Sequence, residues 1–576
     1  MKRNLARLTS NSFDLLVVGG GIYGACLAWD ASLRGLSVAL VEQADFASAT
    51  SANSLKTIHG GLRYLQHADF SRMRESIRER STLMRIAPHL VHPLPVVVPT
   101  YGHGLKGSEV MRVALSINDW VSLDRNWHIP DPQKHIPNGR VISAVECLQR
   151  LPGISTAGLT GGAIFYDAQV YNSERLIMSM LHSAVQAGAE VANQVEVSGF
   201  LQSGDRVTGV RAIDRQTGEP LEIQANFVVN TVGPWSKGLM QHLPQPPYVH
   251  GLAKAMNFVT RPLFKDYAVG ISSAVAYEDK DAVLKKGSRF LFIAPWRDRS
   301  LVGTWYAPFD GHPSEFAITE ADIQTFLSEV NHAYPAANLK REEIEFVHGG
   351  LLPSTGVSPK SGDVQLAKHY TLYDHRQDGI AGMLSVIGVK YTTARDVAEK
   401  TLDWIGRTTG KKLPRSTASA TPVWGGEIQN FAEFLQDAIR QHPHLPEATV
   451  RRLVYSYGSA YQQVLSSQIH PAKADLKADL SDLAVLQAEV LHSIREEMAQ
   501  HLADVVFRRT EIGSAGLPCP DRLRHCAEVM AAELGWSPDI LNQELATVER
   551  TFTWMQPANQ HATETTLVDL IPSSRT

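Results

Sequence analysis

The first strong pattern along the chain is an apolar run, a glycine cluster and a second apolar run. Leu15 to Val18 are all apolar, over the length of a strand buried on both faces. Ile22 to Arg34 have helical composition, and Gly35 ends that stretch. Leu36 to Val41 form the second apolar run, which ends on Glu42. This order predicts a strand, a helix and a second strand of a parallel sheet.

The turn after the first predicted strand has G-x-G-x-x-G spacing, formed by Gly19, Gly21 and Gly24. The first glycine permits a tight turn, the second lets a pyrophosphate approach the backbone, and the third lets the helix pack closely. Ile22 and Tyr23 open the helix, whose free N–H groups attract phosphate. Glu42 is placed to accept hydrogen bonds from ribose hydroxyls, and its charge disfavours NADP. The pattern predicts a dinucleotide site.

Helical spacing dominates the last third of the chain. The linker predicted at 406–422 is rich in Thr, Ser, Lys and Pro, and a disordered tail is predicted at 556–576. Helices are also predicted earlier, over 67–90 and over Val110–Leu123. The predicted C-terminal helices are 429–441, 447–456, 476–508, 520–534 and 538–555.

Composition narrows the class of protein. A chain of 576 residues has room for several domains, and a net charge of −4 argues against a nucleic-acid partner. Its four cysteines lack metal-ligand spacing, so we predict no metal site and a reducing, cytoplasmic setting. The sequence has no apolar run of about 18 residues, the length that a membrane-spanning helix needs, so it predicts no membrane span.

Residues 45–65 carry two further patterns. The first half is rich in small hydroxyl residues that can wrap a phosphate or ribityl chain. The second half places histidine, arginine and tyrosine around a glycine pair. The predicted cofactor contacts are Thr50, Ser51, Ser54, Thr57, Gly60 and Gly61, and the candidate catalytic residues are His59, Arg63 and Tyr64.

Together these motifs resemble the FAD-dependent glycerol-3-phosphate dehydrogenases and oxidases, over residues 12 to 550. The resemblance implies an α/β fold with a discontinuous Rossmann-like FAD-binding domain, an inserted β-rich substrate domain and a C-terminal all-α domain. The FAD-binding parts would be 12–90, 161–240 and 349–405. The substrate parts would be 91–160 and 241–348, and the helical domain 423–555.

Three later segments resemble the family's remaining FAD contacts. Val195 would meet the adenine through its backbone, and the turn at Gly233 and Trp235 would bring a distant strand back onto the cofactor, which favours FAD over NAD. The segment from Gly161 to Asp167 would return the chain to the FAD-binding domain. The closing segment would supply Gly388, Lys390, Tyr391 and Thr392, and a helix dipole there would stabilise reduced flavin.

The substrate motifs depart from the family. Where the family has Lys-Gly-Ser-His, this chain has Lys254 to Asn257, so asparagine replaces the histidine. Where the family has Gly-Thr-Thr-Asp, Trp305 stands at the third position, and where the family has Ser-Gly-Val-Arg-Pro, Leu352 replaces the arginine. Asn257 can hydrogen-bond but cannot take a proton near neutral pH. His59 thereby becomes the general-base candidate, while a histidine that only contacts flavin is the alternative interpretation.

The resemblance implies hydride transfer from a hydroxyl-bearing carbon to flavin. Arg63 and Lys390 would hold an anionic group, and Tyr64 and Asn257 complete the predicted catalytic set. Leu352 removes a cation, and Trp305 offers an apolar wall unless it belongs to the core, so we expect glycerol 3-phosphate to be handled poorly. The alternatives are another polyol phosphate, a hydroxy acid or an amine, or a flavin-binding subunit without turnover.

Partners follow from the same resemblance. We expect a small anionic substrate, and the electron acceptor would be either a quinone or oxygen. The chain could also form a homodimer, which the sequence does not decide. Within the family, a segment near Val110–Leu123 is associated with membrane contact, which implies peripheral attachment at the inner face of the membrane. An ordinary packed helix is the alternative for that segment.

Overall fold

A computed structural model describes residues 1–103, 107–243, 250–276, 288–358, 362–467 and 482–553. The predicted tail at 556–576 and the first residues of the helix predicted at 476–508 lie outside the described residues. Among the described residues, no helix is long and apolar enough to cross a membrane.

The strands are numbered in chain order. They are β1 Ser12–Phe13, β2 Leu15–Val18, β3 Val38–Val41, β4 Thr57–Ile58, β5 Val91–Tyr101, β6 Arg140–Ser143, β7 Leu159–Val170, β8 Glu190–Ala192, β9 Val195–Ser203, β10 Arg206–Asp214, β11 Pro220–Ala225, β12 Val228–Asn230, β13 Gly251–Thr260, β14 Ala268–Ala276, β15 Ser288–Trp296, β16 Arg299–Phe309, β17 Ile344–Val357, β18 Val364–Leu366, β19 Thr371–Asp374 and β20 Met383–Ile387.

The α-helices follow the same convention. They are α1 Leu5–Ser10, α2 Ile22–Leu33, α3 Phe70–Ile86, α4 Ser108–Val121, α5 Ala144–Arg150, α6 Ser173–Gln186, α7 Ser236–Met240, α8 Glu320–Ala333, α9 Ala394–Thr409, α10 Phe431–Gln441, α11 Glu447–Tyr457, α12 Tyr461–Ser466, α13 Asp482–Glu497, α14 Leu502–Asp504, α15 Pro520–Leu534 and α16 Pro538–Thr553.

The apolar runs at the start of the chain form the centre of a six-stranded sheet in the order β19-β20-β12-β2-β3-β8. All pairs in it are parallel except β19 with β20. All four residues of β2 are buried, because α2, α6 and α9 cover one face of the sheet and a four-stranded sheet, β1-β11-β10-β9, covers the other. This is the predicted parallel unit.

A ten-stranded sheet forms the second layer system, along the path β18-β17-β13-β16-β15-β14-β5-β7-β4, with β6 paired to β7. One of its faces packs apolar residues such as Met256 and Phe258 against α8. Val259 and Phe346 pack with the helices of the C-terminal region. The fold class predicted from the sequence is confirmed: an α/β cofactor unit, a β-rich unit and a helical C-terminal region.

Several predicted boundaries differ from the structure. The helix predicted at 67–90 begins at Phe70, after a short 3₁₀ turn. The helix predicted to 508 ends at Glu497, because Met498 has a left-handed backbone and a π-helical turn, Val505–Arg509, follows. The domain edges predicted at 160/161 and 348/349 fall inside β7 and β17, since each strand continues in the ten-stranded sheet.

Candidate active site

The glycine turn after β2 leaves no room for a side chain at Gly24. A Cβ placed on Gly24 would lie 1.9 Å from the carbonyl oxygen of Gly19, so α2 packs directly on the turn. The Thr231 hydroxyl, at the end of β12, donates to the carbonyls of Val18 and Gly19 at 2.9 and 3.0 Å. Gly21, at the start of α2, has no side chain to cap the helix, and the Ile22 N–H is bonded by Ser51 Oγ at 3.1 Å. The N–H groups that follow in the first turn are available to an anion.

Glu42 lies beside this turn, as predicted. Its carboxylate accepts the N–H groups of Gly20 at 2.7 Å and Ala44 at 2.9 Å. Burial raises its pKa, and the backbone donors only partly oppose that rise. The Val195 N–H donates to the Glu42 carbonyl oxygen at 2.8 Å. The predicted backbone contact of Val195 to adenine therefore cannot use its N–H.

The hydroxyl groups of the loop each bond to a protein group. Ser51 Oγ accepts the Ile22 N–H at 3.1 Å and keeps its own proton for an acceptor at the start of α2. Thr50 instead donates to a carbonyl on β17 at 2.9 Å. Ser54 and Thr57 bond within two residues along the chain. Of these four hydroxyl groups, Ser51 is the one that bonds to the first turn of α2.

Tyr23 supports the closing turn of the cofactor unit. Its hydroxyl donates to the Lys390 carbonyl at 2.7 Å and accepts the N–H groups of Val389 and Lys390, both at 3.2 Å. A Cβ on Gly388 would lie 2.0 Å from the Tyr23 ring. Burial raises the Tyr23 pKa to about 12, so the side chain stays a neutral phenol.

Two motifs far apart in the sequence meet here. The His59 N–H donates to Thr392 Oγ1 at 3.3 Å, and Lys390 Nζ lies 4.1 Å from the centre of the Tyr64 ring. The Tyr391 hydroxyl donates to the Ser173 carbonyl at 2.7 Å. Because Tyr64 is buried, a cation–π contact holds Lys390 beside the histidine motif. Tyr64 therefore serves as a support for Lys390.

His59 has a partner that the sequence analysis did not assign to the site. Its Nδ1 lies 3.0 Å from Asp167 Oδ2, and the Gly60 N–H donates to Asp167 Oδ1 at 2.6 Å. Arg80 Nη1 lies 3.7 Å from the same carboxylate. Burial alone would raise the Asp167 pKa, but the hydrogen bond and charge of His59, with Arg80 and Gly60, hold that pKa below its usual value.

Arg63 is placed differently from its neighbours in the motif. Its side chain is exposed, and no hydrogen bond or ion pair joins it to any part of the chain that the structure describes. Gly60 packs against Arg80, because a Cβ there would lie 2.0 Å from Arg80 Nη1 and would displace the guanidinium. The structure thus gathers His59, Tyr64 and Lys390 but leaves Arg63 at the surface.

One face of the ten-stranded sheet is directed towards the cofactor loop. A Cβ on Gly350 would lie 3.2 Å from the Thr50 Cα, and Leu352 shares that face because side chains alternate along β17. Asn257 pairs with a residue of β17 on the same face, and its Oδ1 accepts the Thr304 hydroxyl at 2.7 Å. Asn257 and Leu352 are therefore on the predicted substrate side.

Trp305 lies on the opposite face and belongs to the core, which was the alternative to an apolar wall. A bulge between Met256 and Asn257 pairs Met256 with Trp305, so the indole is buried in the core beneath α8. Tyr306 pairs with Ala255 instead and occupies the substrate side, a residue that the sequence analysis missed. The turn with Gly233 and Trp235 follows β12 as predicted: the glycine is exposed and the tryptophan half-buried.

The tight glycine turn between a buried parallel strand and a helix places the protein in the dinucleotide-binding α/β class. A family model described as FAD dependent oxidoreductase matches residues 14–393, and one described as the C-terminal domain of alpha-glycerophosphate oxidase matches residues 416–540. The chain belongs to the FAD-dependent glycerol-3-phosphate dehydrogenase and oxidase family.

Individual relatives agree with this assignment. The chain is 32% identical to a glycerol-3-phosphate dehydrogenase of Synechocystis, over 88% of this chain and 90% of the relative. It is 30% identical to glycerol-3-phosphate dehydrogenase 2 of Mycobacterium tuberculosis, over 94% and 88%. The Bacillus halodurans glycerol-3-phosphate dehydrogenase solved with FAD has a TM-score of 0.74 at 24% identity, covering 97% and 98%, and shares the fold.

The described residues fit FAD. The first turn of α2, the Ser51 hydroxyl bonded to it and the glycine turn suit a pyrophosphate, and the Glu42 carboxylate suits a ribose. α9, whose first turn also has no side-chain cap, begins directly after the Lys390–Thr392 turn. A helix N-terminus at that place stabilises negative charge, as reduced flavin requires. The protein is therefore an FAD-dependent enzyme.

Proposed function

We propose that the protein oxidises a hydroxyl-bearing carbon of a small anionic substrate, with glycerol 3-phosphate as the first compound to test. The observation that carries the proposal is the meeting of the His59–Tyr64 motif with the Lys390–Thr392 turn. It brings a base and a cation to one place at the edge of the cofactor unit. A hydroxyl proton and an anionic group need these two partners.

When bound, FAD supplies the hydride acceptor for this oxidation. His59 takes the hydroxyl proton at the ring nitrogen that is not bonded to Asp167. Lys390 holds the anionic group, since its ammonium is kept in place by Tyr64. Leu352 and Tyr306 supply the half-buried surface against the rest of the substrate, and the Leu352 side chain favours a substrate with an apolar part.

Anaerobic reduction of the bound flavin tests the proposal. Glycerol 3-phosphate, other polyol phosphates and hydroxy acids are compared with uncharged glycerol and with amines. Lys390→Met should raise KM for the anions by about 10- to 100-fold, equal to about 1.4–2.7 kcal/mol, and leave FAD bound. Lys254→Met is the matched control, because Lys254 pairs with Asp322 at 3.0 Å. Reduction by amines alone, or equal KM in both variants, would contradict the proposal.

We further propose that α4 contacts a lipid surface and that the acceptor is a quinone rather than oxygen. Only Leu115 of α4 is buried, whereas Trp120 is 73% exposed and Val113, Ile117 and Leu123 are also exposed apolar residues. An apolar patch of this kind is typical of a membrane or protein contact. Beneath it, α4 packs on Leu62 of the histidine motif, which connects the patch to the site.

Binding to anionic lipid vesicles tests the patch. Trp120→Glu should abolish co-sedimentation, while Val145→Glu should not, because Val145 is equally exposed at 67% but lies outside α4. Equal binding by both variants would refute the assignment. Turnover with a short-chain quinone should exceed turnover with oxygen, and a faster reaction with oxygen would reject the acceptor.

A further inference from the structure

The environment of Asp167 is that of a carboxylate built to stay ionised next to His59. Asp167 lies on β7, and His59 directly follows β4, which pairs with β7. Its side chain is 6% exposed, yet its two oxygens receive His59 Nδ1 at 3.0 Å and the Gly60 N–H at 2.6 Å. A buried carboxylate is retained only when such partners compensate its desolvation.

We propose that Asp167 is a positioning residue that sets the tautomer and basicity of His59; this rests on the proposed role of His59 as base. An ionised carboxylate only accepts hydrogen bonds, so His59 Nδ1 must carry the proton. Nε2 then carries the lone pair. The His59 side chain is 33% exposed, whereas Asp167 is enclosed, so the ring connects the buried carboxylate with the site.

The proton balance is simple. The substrate hydroxyl gives its proton to Nε2, and the imidazole becomes an imidazolium whose second N–H still donates to Asp167. The carboxylate keeps its charge and stabilises that cation, as a carboxylate behind a catalytic histidine does elsewhere. Phe292, 5.9 Å from the His59 ring centre in an edge arrangement, limits the rotation of the ring.

The surrounding charges support this assignment. Arg80 faces Asp167 from α3, at 3.7 Å, and also donates to the Tyr166 carbonyl at 2.5 Å. Arg125 lies close enough to Arg80 to oppose its charge, and burial brings the Arg80 pKa to about 10, so Arg80 stays cationic at neutral pH. From the turn before α9, the neutral Thr392 hydroxyl reaches His59, and the Lys390 ammonium is held over the Tyr64 ring.

The test uses the FAD-loaded full chain with the best substrate from the reduction screen. Asp167→Asn should slow flavin reduction by about 10- to 100-fold at pH 7 with KM changed less than about threefold. Because a neutral amide no longer stabilises the imidazolium, the acid limb of the pH–rate profile should move to lower pH. Asp167→Glu should restore part of the rate. Asp131→Asn is the control, a buried carboxylate that caps a backbone N–H.

The outcomes separate the two proposals. If His59→Gln reduces flavin at the wild-type rate, the role of His59 as base fails. If His59→Gln is slow but Asp167→Asn keeps the wild-type rate and pH profile, only the role of Asp167 fails. Loss of FAD from both Asp167 variants would assign the carboxylate a structural role and overturn the proposal.

Discussion

Gly21→Ala separates cofactor binding from folding more cleanly than any other change in the nucleotide turn. A Cβ on Gly21 would meet one protein atom outside its immediate neighbours, Ser51 Oγ at 3.1 Å, so a shift of that hydroxyl accommodates it. The apo protein should therefore melt within about 2–4 °C of wild type. The methyl group, however, occupies the approach to the start of α2, where the pyrophosphate is expected. Overpacking there should cost about 1–3 kcal/mol, which is about 5- to 150-fold in FAD affinity.

Two companion variants give the largest and the smallest expected effects on stability and FAD affinity. In Gly24→Ala the new Cβ would lie 1.9 Å from the Gly19 carbonyl oxygen, so backbone must move and both stability and FAD should be lost. In Gly199→Ala the nearest atom is Arg211 Nη1 at 3.7 Å, and neither should change. The assays are FAD titration by fluorescence and thermal unfolding of the apo protein. Wild-type FAD affinity in Gly21→Ala would refute the placement of the pyrophosphate.

Three further predictions concern other regions. Arg509→Met should cost about 3–5 kcal/mol in urea unfolding, because Arg509 bonds the buried Asp45 at 2.6 and 2.9 Å, whereas Arg495→Met breaks an exposed pair and should cost under about 1 kcal/mol. Burial lowers the His89 pKa to about 3, so as the pH decreases the unfolded chain takes up a proton at His89 before the folded chain does, and the free energy of unfolding decreases at pH values under about 6.5. His89→Phe should recover up to about 2 kcal/mol of that loss at pH 5, measured by comparing unfolding at pH 5 and pH 7.5. Leu352→Arg should lower KM for glycerol 3-phosphate about tenfold, and an unchanged KM would remove Leu352 from the substrate side.

The nucleotide turn was predictable because all its parts are consecutive. Strand, glycines, helix and acid follow one another between Leu15 and Glu42, so local spacing encodes the geometry. His59 and Lys390 were found through their own glycine-framed motifs. What the sequence could not supply is which groups each would touch, since Tyr23 reaches a turn more than three hundred residues away.

Asp167 shows why a partner across a sheet is hard to predict. It lies 108 positions from His59, and the two meet only because β4 pairs with β7 in one register. The family resemblance implies that the segment from Gly161 to Asp167 returns to the cofactor, but it does not give Asp167 a partner. The identity of the residue opposite depends on register, and a single-residue slip would turn the aspartate to the other face.

Strand register also decides which of Trp305 and Tyr306 faces the substrate side. Regular pairing from Asn257 with Gly303 would place Trp305 opposite Ala255, on the substrate side; the bulge shifts it by one residue and puts Tyr306 there instead. A phenol brings a hydrogen-bonding group where an indole would bring bulk. The argument for a substrate with an apolar part therefore depends on Leu352, while Tyr306 and Asn257 give the same face two polar contacts. A small anion with one hydrophobic edge fits that surface better than a fully hydroxylated one.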